Sequence, residues 1–162
     1  MIILITGDFG VGKDTFADYL TEALPNSQKI KSYTIRPPRY PGENTHIFTD
    51  QQPPKETVAK TIIDNQSYWT IPSQFDQNKN NIYVVDDIGV RDTVASNIDK
   101  VFIILITRPK HLIQINKKRL NRTRTEKFHF EPDIEILNDG TLQDLQKTAQ
   151  TLPILLPLYK KF

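Results

Sequence analysis

Residues 7–15 read Gly7-Asp8-Phe9-Gly10-Val11-Gly12-Lys13-Asp14-Thr15, which contains the pattern G-x-x-x-x-G-K. The run before it, Ile2 to Ile5, is entirely apolar, as is typical of a strand that is buried on both faces. After it, apolar residues recur at helical spacing at positions 16, 17, 20 and 24. A strand, a glycine-rich loop and a helix therefore follow one another, and in this context the pattern indicates a phosphate-binding loop.

The residue types of this loop suit a chain of phosphate groups. Glycines allow the backbone N–H groups to turn inward, the helix N-terminus adds a positive dipole end, and Lys13 supplies a mobile cation. Asp14 stands where the motif has Ser or Thr as a magnesium ligand. Because a carboxylate also binds Mg²⁺, we expect Asp14 and Thr15 to be metal ligands. The predicted nucleotide contacts are Gly7, Gly10, Val11, Gly12, Lys13, Asp14 and Thr15. The alternative is a glycine-rich connector without a ligand.

The composition is that of a single globular domain: 162 residues, 38% hydrophobic and 25% charged, with a net charge of +2 and no cysteine. This charge gives no reason to expect a nucleic-acid partner, and the lack of cysteine excludes disulfides and thiolate metal sites. The first strand begins at once, which leaves no room for a signal peptide, and no apolar run is long enough to span a membrane. We expect a cytoplasmic protein, monomeric or homodimeric, with no membrane partner.

Further apolar runs alternate with segments of helical spacing. Strands are predicted over 29–35, 67–71, 82–85, 101–106 and 133–137. Helices are predicted over about 92–98 and 110–120, from position 142 onward, and from Pro53 with Val58, Ala59, Ile62 and Ile63 as the apolar face. Buried strands that alternate with amphipathic helices predict an α/β fold of three layers around a mainly parallel sheet of five strands.

Two carboxylates, Asp86 and Asp87, follow the apolar run 82–85 directly. A carboxylate at the end of a strand that neighbours a phosphate loop is typical of a residue that holds Mg²⁺, directly or through water. We therefore expect Asp86 to be a metal ligand. The alternative for either aspartate is a cap that joins the strand to the next helix.

The segment after the first helix carries a second motif, formed by Ser32, Thr34, Arg36, Pro38, Arg39, Gly42 and Glu43. It resembles the guanylate kinase motif T-x-R-x-P-R-x-G-E with a serine before it, although one extra residue separates Arg39 from Gly42. The resemblance implies a P-loop NTPase fold, ATP and Mg²⁺ as cofactors, and a nucleoside monophosphate as substrate, with GMP or dGMP favoured. Contacts to the acceptor phosphate are implied for Ser32, Arg36 and Arg39. A solvated proline-rich connector is the alternative for this segment.

The same resemblance implies further site residues. Tyr68, or Trp69, would line the acceptor pocket, and His46 would replace a phosphate-binding tyrosine. Asp87 would contact the base or the metal. Asn138 would contact the adenine of ATP. The glutamate with which guanylate kinases recognise guanine has no clear counterpart before Tyr68.

A basic cluster between 117 and 127 resembles the start of the family's lid, whose arginines close over the transferred phosphoryl group. The implied catalytic residues are Lys13, Arg36, Arg122 and Arg124; for the cluster, a solvated charged surface is the alternative. We expect one kinase domain over 1–162, with an acceptor-binding insertion at about 32–72 and a short lid at about 117–130.

Two other functions stay open. The sequence Gly-Lys-Asp-Thr at 12–15 also resembles the loop of phage-type deoxynucleotide kinases and of phosphomevalonate kinases, which favours a deoxynucleoside monophosphate kinase of broader specificity. The short lid instead favours a guanylate-kinase-like binding module that has lost catalysis.

Overall fold

The computed structural model describes residues 1–113 and 129–159. Its strands are β1 (Ile2–Thr6), β2 (Ser27–Ile30), β3 (Tyr33–Thr34), β4 (Ile47–Phe48), β5 (Ala59–Ile63), β6 (Gln66–Thr70), β7 (Asn80–Val84), β8 (Val101–Thr107) and β9 (Ile134–Leu137). Its α-helices are α1 (Lys13–Ala23), α2 (Asp87–Ser96) and α3 (Leu142–Leu155). Short 3-10 helices cover Pro72–Gln74, Lys110–Leu112 and Leu156–Leu158.

The main sheet has five strands in the order β2-β7-β1-β8-β9, and every neighbouring pair is parallel. All five residues of β1, at its centre, are buried. Ile3 and Ile5 pack with apolar side chains of α1 and α3 on one face, whereas Ile2 and Leu4 pack with Val90 of α2 on the other. The predicted α/β fold with a five-stranded sheet is therefore confirmed, and the apolar strand 2–5 forms its centre because both of its faces are covered.

Parallel order brings the carboxyl ends of β1, β7, β8 and β9 to one edge of the sheet. The phosphate loop follows β1, Asp86 follows β7 closely, and Asn138 follows β9 directly. Ligands bind at this edge in open α/β sheets because the loops after the strands meet there. The topology thus gathers residues that lie more than a hundred positions apart in the chain.

A second sheet of four strands, in the order β4-β3-β6-β5, lies between residues 33 and 70. Strands β5 and β6 form an antiparallel hairpin, and its two-residue turn, Asp64-Asn65, has positive φ angles of 51° and 61°. Positive φ at both turn positions matches the twist of the flanking strands, which is why such turns favour hairpins.

The helix predicted to begin at Pro53 is wrong, since its apolar residues lie in β5 and just before it. Ala59 is buried while Ile62 is 57% exposed, so burial follows a period of two residues and not of 3.6. The strand predicted over 29–35 is also wrong in part: the chain leaves the main sheet after Ile30 and enters the second sheet at Tyr33. Ser32 therefore lies at the crossing between the two sheets.

Two predicted helices have other bounds than expected. The helix predicted over 92–98 begins earlier, at Asp87, and ends at Ser96. For the helix predicted over 110–120, the described residues contain the 3-10 turn Lys110–Leu112, and positions 114–120 lie outside them. Within residues 1–113 and 129–159, no helix has the length and apolarity needed to cross a bilayer.

Candidate active site

The phosphate loop takes a backbone conformation that requires glycine. Gly7, Gly10 and Gly12 have φ angles of 139°, 78° and 98°, which side chains disfavour. A Cβ atom on Gly7 would lie 2.1 Å from the carbonyl oxygen of Ile106 in β8, and one on Gly12 would lie 2.8 Å from Nδ2 of Asn138. The loop therefore packs tightly against the ends of neighbouring strands, and this fixes its position relative to the sheet.

Lys13 folds back over this loop. Its Nζ donates to the carbonyl oxygens of Gly7 at 2.9 Å and Asp8 at 2.7 Å, and it lies 5.7 Å from the ring centroid of Phe9. Ammonium groups bind phosphate oxygens more strongly than neutral carbonyls, because the partner is then also charged. A phosphate chain in the loop would thus compete well for this cation.

Asn138 braces the loop from the end of β9. Its Nδ2 donates to the carbonyl oxygen of Val11 at 2.8 Å, and the residue is buried. This bond ties the backbone of the phosphate loop to the end of β9. One N–H of the Asn138 amide therefore serves to hold the loop in its conformation. The implied contact between Asn138 and adenine stays a prediction.

A cavity of about 390 Å³ lies between the phosphate loop and the second sheet. The predicted site residues that line it are Gly10, Gly12, Lys13, Asp14, Ser32, Arg39, Tyr68 and Asp86. These residues come from the two motifs, from β6 and from the N-cap of α2, so the fold brings the predicted phosphate loop and part of the predicted acceptor segment to one space. Gly7, Val11, Thr15, Arg36, Asp87 and Asn138 are not among its lining residues, and Arg122 and Arg124 lie outside the described part of the chain.

Arg36 is engaged in a buried ion pair with Glu43. Its Nη1 donates to Oε2 at 3.1 Å and its Nη2 to Oε1 at 2.8 Å, a bidentate geometry. Glu43 also accepts from the backbone N–H of Arg39 at 2.6 Å and from the hydroxyl of Thr45 at 2.9 Å. The Arg36 guanidinium is the largest cause that lowers the pKa of Glu43 to about 2, with the Arg39 and Thr45 bonds in support against the effect of burial.

The same pair presents Arg39 to the cavity. Bonds from Arg36 and from the Arg39 backbone close the segment 36–43 into a fixed loop around one carboxylate. The side chain of Arg39 is 38% exposed and its Nη1 lies 4.0 Å from Oε1 of Glu43. Arg39 therefore lines the cavity with a partly exposed side chain, whereas Arg36 supports the loop from inside.

Hydroxyl groups line the cavity between the two sheets. The Ser32 hydroxyl lies 2.9 Å from the Tyr83 hydroxyl, and burial raises the pKa of Tyr83, which keeps this phenol protonated. Tyr68 lines the cavity, while its neighbour Trp69 stacks on Tyr33 at 5.8 Å between ring centroids. Of the two aromatic residues that the sequence left open, Tyr68 is thus at the cavity and Trp69 belongs to the packing of the second sheet.

His46 is a further cavity residue. Its ring lies 5.3 Å from that of Tyr68, and its Nδ1 lies 2.8 Å from the Thr45 hydroxyl. Burial lowers its pKa, and the positive charge of Arg36 lowers it further, so the imidazole is neutral at pH 7. A neutral imidazole can still form a hydrogen bond to an anionic ligand.

Asp86 is the N-cap of α2. Its Oδ1 accepts from the backbone N–H of Gly89 at 2.8 Å, and its Oδ2 accepts from the hydroxyl of Thr61 at 2.8 Å. The carboxylate thus joins α2, which packs on the main sheet, to β5 of the second sheet. Since each carboxylate oxygen can accept two hydrogen bonds, Asp86 retains acceptor capacity toward the cavity, and its role at a metal stays a prediction. Asp87 is the first residue of α2.

Several cavity residues were missed from the sequence: Lys29, Ala59, Thr61, Ile63 and Tyr83. Lys29 and Tyr83 stand at or near the carboxyl ends of parallel strands, where ligand contacts concentrate, and this position was the available signal. The three β5 residues could have been found from Asp64-Asn65, a turn-forming pair between two β-prone runs.

The architecture is similar to that of a solved guanylate kinase. The crystal structure of guanylate kinase from Anaplasma phagocytophilum matches with a TM-score of 0.63 and 18% sequence identity, over 98% of this chain and 85% of that chain. No protein-family model and no curated protein matches the chain. The chain therefore has a guanylate kinase-like fold, as the motif resemblance implied, and at this identity the likeness shows the fold alone.

Proposed function

We propose that this chain is an ATP-dependent nucleoside monophosphate kinase, with GMP or dGMP as the favoured acceptor. The observation that carries the proposal is the shared cavity: Lys13 of the phosphate loop lines it together with Ser32, Arg39 and Tyr68 of the acceptor segment. A cavity that two cationic loops line suits two phosphate groups that must meet. The cytoplasm, where ATP is available, is the proposed location.

The reaction needs no protein nucleophile. An oxygen of the acceptor phosphate attacks the γ-phosphorus of ATP, the bond from that phosphorus to the β–γ bridging oxygen breaks, and the products are ADP and a nucleoside diphosphate. The chain contributes by positioning both substrates and by stabilising the negative charge of the transition state. Lys13 would bind the donor phosphates, and Arg39 and Ser32 would orient the acceptor phosphate.

The residues at the loop fit a magnesium ion that arrives with the nucleotide. Among the described residues, no group of three or more His, Cys, Asp or Glu side chains could hold a metal alone. Mg²⁺ is commonly held by one or two carboxylates together with substrate phosphates, and the exposed carboxylate of Asp14 stands beside the loop. Asp14, Thr15 and Asp86 are the proposed ligands. When bound, Mg²⁺ would neutralise charge on the β- and γ-phosphates.

The alternative acceptor class is a broader set of deoxynucleoside monophosphates. It is favoured by the part of the cavity that β5 lines, where Ala59, Lys60, Thr61 and Ile63 contribute two apolar side chains, one hydroxyl and one lysine, and no carboxylate. Guanine carries N–H donors on its Watson–Crick edge, and carboxylate acceptors would recognise them best. Both carboxylates that line the described cavity, Asp14 and Asp86, are proposed metal ligands, and this lowers the expected preference for guanine.

Turnover across a panel of acceptors tests the proposal. ADP formation from MgATP is measured with each ribo- and deoxynucleoside monophosphate, and with no acceptor as control. Turnover with GMP or dGMP alone supports the favoured acceptor, and turnover with several deoxynucleotides supports the alternative. If ATP binds but no acceptor supports ADP formation above the control, the chain is a binding module and the proposed activity is refuted.

Arg39→Ala is expected to raise the acceptor KM by about 10- to 100-fold, because one charged hydrogen-bonding partner of the acceptor phosphate is lost. The KM for ATP and the free energy of unfolding should change little, since the Arg39 side chain is partly exposed. Steady-state kinetics and urea denaturation measure these three quantities. Arg36→Ala is the matched variant, and it should lower stability as well as acceptor binding. An Arg39→Ala acceptor KM within twofold of wild type would remove Arg39 from the site.

A further inference from the structure

Asp14 brings a negative charge to the phosphate loop, where the motif otherwise has a neutral hydroxyl. Its side chain is 71% exposed and lies in the first turn of α1, next to Lys13. A nucleotide polyphosphate carries several negative charges, and a carboxylate at this position repels them. Nucleotide binding to this loop therefore needs a compensating cation, which can be a bound metal or a protein side chain.

Lys29 is the cation that the fold places beside Asp14. It lies in β2, lines the same cavity, and its side chain is only 20% exposed. Its Nζ lies 3.7 Å from Oδ1 of Asp14 and 3.4 Å from the Asp14 carbonyl oxygen. Among the ion pairs of the described residues, the one that involves Asp14 is this pair with Lys29.

Asp18 holds Lys29 in this place. It stands one helical turn after Asp14 on α1, and its Oδ1 accepts from Nζ of Lys29 at 2.7 Å. Residues four apart lie on the same face of a helix, so the ammonium group is held between two carboxylates of α1. The closer bond goes to Asp18, which leaves the Asp14 carboxylate less tightly bound and able to turn toward another cation.

We propose that Lys29 is a positioning residue that acts through Asp14, and that this pair sets how strongly nucleotide binding depends on Mg²⁺. The proposal rests on the proposed function, because it requires a nucleotide in the loop. Without metal, Lys29 offsets the charge of Asp14 and so permits binding of the free nucleotide. With Mg²⁺ present, the metal offsets that charge, and Lys29 contributes less.

The test is the ratio of two dissociation constants for ATP, one measured in EDTA and one in excess Mg²⁺, by isothermal titration calorimetry. In Lys29→Met this ratio is expected to be about fivefold larger than in wild type, as fits a partly exposed ion pair. Lys29→Arg, which keeps the positive charge, should have the same ratio as wild type. If Lys29→Met only disturbed the structure of the site, ATP binding would weaken equally in EDTA and in Mg²⁺, and the ratio would not change.

Asp14→Ser supplies the second arm of the test. In the Asp14→Ser background, Lys29→Met is expected to change the ratio by less than about twofold, because the carboxylate next to Lys13 is gone and the remaining partner of Lys29, Asp18, stands one helical turn farther along α1. Lys31→Met, which makes the same change of net charge at a residue outside the cavity lining, is the matched control and should leave the ratio unchanged. An equal effect of Lys29→Met in both backgrounds would overturn the proposal, since Lys29 would then act on the phosphates directly.

Failure of the proposed function gives a different result. If wild type binds no ATP in either condition, the phosphate loop does not bind a nucleotide. The kinase proposal and the proposal for Lys29 are then both refuted. If wild type binds ATP and the ratio of Lys29→Met equals that of wild type, the role of Lys29 alone is refuted.

Discussion

Lys13→Ala is expected to lower kcat by about 1,000-fold or more while the free energy of unfolding changes by less than about 1 kcal/mol. The proposed reaction builds negative charge on the transferred phosphoryl group, and Lys13 is the mobile cation of the loop that binds the donor. Its Nζ is held by the carbonyl oxygens of Gly7 and Asp8, so it can exchange these neutral acceptors for phosphate oxygens without rearrangement of the fold. The alanine variant keeps the loop glycines and loses that charge.

The measurement is ADP formation at saturating MgATP and acceptor, together with urea denaturation of both proteins. Lys110→Ala removes an exposed lysine at the 3-10 turn Lys110–Leu112 and serves as the matched control for the loss of one positive charge. Its kcat is expected to stay within twofold of wild type. If Lys13→Ala retains more than a tenth of wild-type kcat, the loop does not act on the transferred group and the kinase proposal fails.

The centre of the fold could be predicted from sequence because its signals are local and agree with one another. The apolar run Ile2 to Ile5, the three glycines and the helical spacing after Lys13 each specify one element, and the elements follow in a single order. The hairpin of β5 and β6 was missed because Val58, Ala59, Ile62 and Ile63 recur at helical spacing and not at every second position. The structure decides between the two periods by burying Ala59 and exposing Ile62.

The candidate site was predictable only where a motif fixed the residue types. Ser32, Arg39 and Tyr68, for which the motif resemblance implies acceptor contacts, line one cavity together with Lys13, and the contacts themselves stay a prediction. Two arginines of one motif, however, lie in different surroundings, and the sequence does not distinguish them: Arg36 is turned inward to Glu43, while Arg39 is at the wall. Lys29 went unnoticed because its contacts with Asp14 and Asp18 are made across the fold, with a separate helix.

The second large effect is expected at Glu43, whose replacement by glutamine should lower the free energy of unfolding by about 3 kcal/mol at pH 7. The side chain of Glu43 is 2% exposed and receives both Nη groups of Arg36. Glutamine keeps the volume and one acceptor oxygen, yet it leaves the buried guanidinium without its counter-charge. The size of this loss in free energy follows from the pKa of Glu43, which is lowered from an ordinary value of 4.5 to about 2 in the folded chain.

The pH dependence separates this ion pair from general loss of packing. Because the folded pKa lies below the unfolded one, the unfolded chain binds more protons between pH 4.5 and pH 2, and the stabilisation is lost as the pH falls through that range. The stability difference between wild type and Glu43→Gln, from urea denaturation, should therefore be full at pH 6 and shrink steadily from pH 4.5 downward. Glu22→Gln, at an exposed position of α1, should show no such difference at any pH. A difference that stays constant from pH 6 to pH 3 would mean that glutamine disturbs the loop by shape, and that the charge of Glu43 does not hold Arg36 in place.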